Sequence, residues 1–225
     1  MGISLEKITS FFKQIEDQLG RVIPFHLRSV SSVLQQEELD YVRSCDPALD
    51  LRFSSQKRLA EWVSSRCALY RMLERFSIRS DDQWRVSLSH TSEFTLACGV
   101  MEKKEQVNTL RIGVDLESTK RQMSRKAVVR VFSPSELGLG LAPIALWTIK
   151  EAAFKAFAEE GLVLPQISIL SWDLKKGQAV VKSLRSERIC RVWLFTSPEL
   201  VLSFAFWTES FLGYESKLES SEGES

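Results

Sequence analysis

No run in this chain approaches the about 18 consecutive apolar residues that a membrane-spanning helix needs. The opening stretch, MGISLEKITSFFKQIEDQLG, mixes acidic with apolar residues. It lacks a basic segment ahead of an apolar core, so it does not read as a secretory signal. Gly2 stands where a myristoylated glycine would, but Glu6 occupies the position that needs Ser or Thr. Charge of one sign is also missing: 30 basic and 29 acidic residues leave a formal net charge of +1. That balance exerts no general pull toward nucleic acid or an anionic membrane, and neither is expected as a partner. The four cysteines, Cys45, Cys67, Cys98 and Cys190, form no CxxC pair. Zinc and disulfide frameworks are therefore not expected, and a chain of reduced thiols in the cytoplasm is.

What is present is core material. Hydrophobic residues make up 44% of the 225, enough for one large domain or two small ones. The chain also repeats itself. AEWVSSRCALYRML (Ala60–Leu73) aligns with ALWTIKEAAFKAFA (Ala145–Ala158), Trp62 meeting Trp147 and Arg66 meeting Glu151. Both carry apolar residues at helical spacing. HTSEFTLACGV (His90–Val100) aligns with TSPELVLSFAF (Thr196–Phe206), and WRVSLSH and RICRVWLF precede them. Each pair reads as a strand, a tight turn and a second strand. The expected fold class is α+β: two similar halves, each a helix on a small antiparallel sheet, packed as a pseudo-dimer. The expected divisions are residues 1–110, residues 111–210 and a flexible polar tail over 211–225. A cleft between halves is the expected site.

The second half opens with RIGVDLES, Arg111–Ser118. Along a strand, alternate side chains share a face, so Ile112, Val114 and Leu116 take one side and Gly113, Asp115 and Glu117 the other. Two neighbouring carboxylates raise each other's pKa unless a cation joins them. A hard divalent ion with oxygen ligands suits such a pair; a solvated strand end is the plainer explanation. Glu151 and Lys155 lie four apart on the later helix, one turn beyond Trp147, among Ile149, Ala152, Ala153, Phe154, Ala156 and Phe157. So apolar a helix leaves little wet surface, and half-buried charges need partners. A metal held with Asp115 and Glu117 would serve Glu151, and a phosphate would serve Lys155. Lys150 covers the helix with its aliphatic stem or joins the site.

GVDLE followed by WTIKEAAFKA resembles the two-part signature of the 4′-phosphopantetheinyl transferase superfamily. Gly113, Asp115, Glu117, Trp147, Lys150, Glu151, Ala152 and Lys155 carry the likeness. SLSHT (Ser87–Thr91) is similar to the element ahead of that family's hairpin, and KRLAEWVSSR (Lys57–Arg66) to its basic helix start. The resemblance covers about residues 55–206 and matches the larger, pseudo-dimeric type of that superfamily. It implies transfer of 4′-phosphopantetheine from coenzyme A to a serine of a carrier protein, releasing adenosine 3′,5′-bisphosphate. Asp115, Glu117 and Glu151 would hold Mg²⁺, Lys155 would contact the phosphates, and Glu151, directly or through a water, would take the serine proton. Arg58, Arg66, Ser89 and His90 map to coenzyme A-binding positions, with Lys57 a weaker candidate. The implied enzyme is monomeric, and its carrier partner is acidic.

The basic run TKRQMSRKAVVR, with Lys120, Arg121, Arg125, Lys126 and Arg130, is a docking patch for such a carrier or a solvated helix face. On one helix, Arg121 would align with Arg125 and Lys126 with Arg130. Only ten residues separate Glu136 from Trp147, where family members often have a longer loop and helix. That shortness motivates a rival reading, a module that binds coenzyme A or a carrier without turnover. A second rival is another metal-dependent phosphoryl-transfer enzyme, against which the neutral net charge counts for nucleic-acid substrates.

Overall fold

The computed structural model describes residues 4–30, 34–47, 55–79, 83–102 and 110–209. The expected tail over 211–225 lies outside them. Helix α1 (Leu5–Leu19) starts at the Ser4 cap and ends at Gly20, whose φ of 61° is the left-handed conformation glycine accepts without strain. Its buried residues, Ile8, Phe11, Phe12 and Ile15, follow helical spacing and form one stripe. Strand β1 (Phe25–Ser29), α2 (Gln36–Cys45), α3 (Gln56–Arg75), β2 (Trp84–His90) and β3 (Phe94–Met101) follow. Then come β4 (Leu110–Ser118), α4 (Arg125–Val131), α5 (Pro134–Leu137) and α6 (Pro143–Phe157). Strands β5 (Ile167–Asp173), β6 (Gln178–Ser183), β7 (Ile189–Thr196) and β8 (Leu200–Thr208) complete the described chain.

Two antiparallel sheets result, a three-stranded one ordered β1-β3-β2 and a five-stranded one ordered β4-β8-β7-β6-β5. Strand alternation sorts their side chains. Leu96, Cys98 and Val100 of β3, Ile112, Val114 and Leu116 of β4, and Leu202, Phe204 and Phe206 of β8 enter one core with the stripe of α1. The opposite faces take a helix each. Ala68, Leu69 and Met72 of α3 pack on Ala97 of the smaller sheet. Ile149, Ala152, Ala153 and Ala156 of α6 pack on Ala179, Val181, Val192 and Ala205 of the larger. No helix among the described residues is long and apolar enough to cross a membrane.

The fold is α+β, and the order strand, helix, hairpin occurs twice. Leu27 of β1 faces Leu96 of β3, as Leu116 of β4 faces Leu202 of β8. The hairpin turns share their chemistry. Thr91 Oγ1 accepts from the Glu93 and Phe94 N–H groups, and Ser197 Oγ accepts from those of Glu199 and Leu200. The strand of the first repeat lies within residues 1–50, where no likeness is visible in the sequence. Its match to β4 rests on register, which different residues can satisfy. Among the described residues, the β5–β6 hairpin, inserted after α6, has no counterpart in the smaller sheet. The expected helix over the basic run is shorter than the sequence suggests. It begins at Arg125, capped by Ser124, so Arg121 lies outside it and does not align with Arg125.

Gly113 sets how closely α6 approaches β4. A Cβ there would lie 1.9 Å from the Ala152 carbonyl oxygen and 2.8 Å from the Ala156 nitrogen, both backbone atoms of α6. Neither can rotate away, so the helix would have to lift off the strand. Gly113→Ala should therefore destabilise at or beyond the upper end of the ~1–3 kcal/mol that overpacking costs. Urea unfolding checks this, and a loss below ~1 kcal/mol would mean the helix yields easily.

Candidate active site

The two sheets meet edge to edge at β2 and β4 through side chains, where a backbone ladder would otherwise run. Ser87 Oγ accepts the Val114 N–H at 3.0 Å and Ser89 Oγ accepts the Leu116 N–H at 3.0 Å. Both serines are on β2, two apart, so the strand's period aims both hydroxyls at β4. Ser89 Oγ in turn donates to Asp115 Oδ1 at 3.0 Å. From α6, Lys155 Nζ reaches the same point, donating to Asp115 Oδ1 at 2.9 Å, the Val114 carbonyl at 2.8 Å and the Leu88 carbonyl at 3.4 Å. One ammonium thus ties α6, β4 and β2 together.

Asp115 is buried, and its second oxygen, Oδ2, makes no hydrogen bond among the described residues. An orphaned carboxylate oxygen in the interior is costly. Burial pushes the Asp115 pKa above its usual range, while Lys155, the Ser89 hydroxyl and the Leu116 N–H pull it back. Glu151 lies one turn before Lys155 on α6. Its carboxyl is also raised, first by burial and then by the Asp115 charge, with Lys155 and Arg121 opposing. A buried carboxylate whose charge also raises the pKa of a neighbouring carboxyl is the kind of pair that suits a small hard cation.

Glu117 behaves differently. Its carboxylate pairs with Arg121, whose guanidinium also lies 5.3 Å from the Trp147 ring centroid. Among the described residues no three His, Cys, Asp or Glu side chains form a group that could hold a metal ion. Of the three expected carboxylate ligands, Asp115 and Glu151 are therefore electrostatically coupled, and Glu117 is engaged by an arginine. The sequence places Arg121 only in the basic run, as docking patch or solvated face; its contacts with Trp147 and Glu117 appear once the turn after β4 brings it back.

The remaining expected residues spread along the first repeat. Ser89 belongs to the site. His90, at the end of β2, is half exposed, its Nε2 4.0 Å from Glu61 of α3. Arg66 stacks over Trp62, 5.2 Å from the ring centroid. Arg58 lies in the first turn of α3, exposed, its backbone N–H held by the Ser55 cap. Lys57 pairs loosely with Glu61 at 3.9 Å. Sequence reasoning passed over Ser87, although its alternation with Ser89 in SLSHT was a usable signal. Lys150 does not simply cover α6 with its stem. It is 1% exposed, and its ammonium is bound to Glu136.

A hollow of about 630 Å³ opens beside Glu151, walled by Trp147 and Phe154 of α6, by Lys126 and Arg130 of α4 and by Leu162–Pro165. All of its walls come from the second repeat. The first repeat reaches the site through Ser89 and the Leu88 carbonyl. The arrangement offers a buried carboxylate at Asp115, a carboxyl of raised pKa at Glu151, an ammonium at Lys155 and a partly apolar hollow with a basic rim.

Glu151 carries a stability cost that depends on pH. A carboxyl with a raised native pKa holds its proton more tightly folded than unfolded. The native state therefore loses stability as pH climbs from the ordinary value of 4.5 through the raised one. In EDTA at pH 8, Glu151→Gln should melt higher than the wild type, the gap closing as pH falls below the ordinary carboxylate range. Thermal unfolding across pH measures this. A lower melting temperature for the variant at pH 8 would contradict the assignment of a burdened carboxyl.

A search of curated proteins found no match to the chain. The family model of the 4′-phosphopantetheinyl transferase superfamily matches residues 111–205, the stretch from the start of β4 into β8 that carries Asp115, Glu117, Glu151 and Lys155. By that match, residues 111–205 are similar to the domain of the 4′-phosphopantetheinyl transferase superfamily.

Proposed function

We propose that this protein moves the 4′-phosphopantetheine arm of coenzyme A onto a serine of an acidic carrier protein, with Mg²⁺ and with release of adenosine 3′,5′-bisphosphate. The observation that carries the reading is the buried Asp115 with its unpartnered Oδ2 beside the burdened Glu151, on the segment that the superfamily match covers. Asp115 and Glu151 would hold the metal, joined by Glu117 once Arg121 releases it. Bound there, Mg²⁺ would neutralise charge on the coenzyme A pyrophosphate.

The chain's own groups do the rest. Lys155 already bridges α6 to both sheets, so its ammonium is aimed with little freedom left to lose. It meets the phosphates at the seam. The carrier serine oxygen attacks the phosphorus that bears the arm, and the bridging phosphate oxygen leaves with the adenosine bisphosphate. The serine proton passes to Glu151, directly or through one water. A carboxyl raised toward neutrality is better matched to that task than an ordinary one. Arg58, Arg66 and His90 are assigned to the nucleotide end of coenzyme A, along the edge of α3 and β2, while Ser89, buried and bonded to Asp115, holds that carboxylate in place. The basic rim at Lys126 and Arg130 is assigned to the carrier. The working form is a cytoplasmic monomer.

Intact mass of an apo-carrier after incubation with the protein, coenzyme A and Mg²⁺ tests the reading. The expected result is a gain of one phosphopantetheine arm that EDTA abolishes. No gain across fatty-acid and peptidyl carriers would instead favour a binding module, for which the engagement of Glu117 by Arg121 is the motive. Asp115→Ala and Glu151→Ala should each reduce transfer about 10²–10³-fold, on the order of removing one electrostatic stabiliser. The Glu151→Ala melting temperature should not fall, since it removes a carboxyl raised by burial, whereas Asp115→Ala also takes the partner from Lys155 and should melt lower while staying folded. Transfer at the wild-type rate in either variant would defeat the site assignment.

A further inference from the structure

The least expected charges in the molecule lie away from Asp115. Lys150 and Glu136 are 1% and 2% exposed, with Nζ 2.8 Å from Oε1. The pair is fully partnered. Lys150 Nζ also donates to the Val131 carbonyl at 2.8 Å, Glu136 Oε1 accepts the Ile169 N–H at 2.9 Å, and Oε2 accepts the Ser133 N–H at 2.8 Å. Burial pushes the Lys150 ammonium below its usual range and the Glu136 carboxylate works against that. Such pairs contribute little net stability compared with apolar residues of the same shape, and a specifying role is the better account of their presence.

The partners show what is specified. Val131 is the last residue of α4, Ser133 caps α5, and Ile169 is in β5. Lys150 is the neighbour of Glu151 on α6. The pair therefore fastens the helix that carries the site to the far end of α4, the basic wall of the 630 Å³ hollow. Helix α4 needs such a fastening. None of its seven residues is buried, and Val128 and Val131 are only partly covered against the core. So short a helix does not hold its place by propensity.

We infer that Glu136 and Lys150 are positioning residues that fix α4 as the acceptor-side wall of the Glu151 hollow, leaving the coenzyme A side at β2 and α3 untouched. This rests on the transfer reading above only for its acceptor half. The positioning itself is a property of the fold.

Glu136→Leu/Lys150→Met replaces the pair by apolar groups of similar length, which avoids stranding one buried charge. Glu136→Gln, which keeps the shape, is the second variant. Both are followed by amide hydrogen exchange, by binding of coenzyme A and by steady-state transfer. Faster exchange of the α4 amides by at least tenfold is expected, with α6 and β8 unchanged. Coenzyme A affinity should stay within twofold, while the carrier KM rises about tenfold with kcat little altered. Unchanged α4 exchange in a folded variant would overturn the inference, because apolar contacts would then suffice. Coenzyme A affinity falling in step with carrier KM would also overturn it, as a general loosening. If the wild type modifies no carrier, the transfer reading fails, and the exchange data alone uphold or sink the positioning role.

Discussion

Two serine hydroxyls on β2 hold the molecule's two sheets in register. Where backbone carbonyls would complete a ladder, Ser87 and Ser89 accept the N–H groups of Val114 and Leu116. A side-chain oxygen reaches farther than a carbonyl, so the strands stand apart and leave room between them. Into that room comes Lys155, bonded to a carbonyl on each strand. A continuous backbone ladder would have closed the gap and left Asp115 no neighbour from the other sheet. The seam thus joins the sheets and creates the polar point on which the site depends.

Helix α6 answers three different demands with three charged residues. Its close approach to β4, permitted by Gly113, removes most of its surface from water. Lys150 then meets Glu136 in the interior, Lys155 meets Asp115 at the seam, and among the described residues Glu151 meets no cation closely enough to offset its burial. The first two are satisfied and rigid. The third is burdened, as groups at working sites commonly are. Rigidity on either side of a strained carboxyl is a sound way to hold it against desolvation, and the well-packed alanines of the helix supply the rest.

The repeat carries a similar division of labour. Both hairpins turn on one hydroxyl that accepts two successive backbone N–H groups, and the preceding strands pair in matching register. Yet β4 carries Asp115 where β1 carries His26, opposite Ser203 and Ala97 respectively. The backbone plan is shared, and the buried carboxylate with its lysine belongs to the second copy, with Ser89 contributed by the first. Helix α1 completes the core between the sheets with Phe11 and Phe12.

The α+β class, the paired helix-and-hairpin units and the acidic strand were legible because each depends on local spacing: period two in GVDLE, helical period in WTIKEAAFKA, a hydroxyl at each turn. The same spacing put Asp115, Glu151 and Lys155 forward together, and their proximity follows from packing α6 on β4. Strand β1 was not legible, since a short edge strand leaves little pattern. Helix α4 is shorter than the basic stretch suggests, because the Ser124 cap starts it at Arg125. What only the tertiary structure decided was which charge meets which. Lys150 could have lain along the helix surface, Glu117 could have stood beside Asp115 without a cation, and Arg121 could have faced solvent. Sequence determines the charges and the faces they occupy. Their partners come from segments distant along the chain, and the low polarizability of the interior makes that choice of partner decide each group's role.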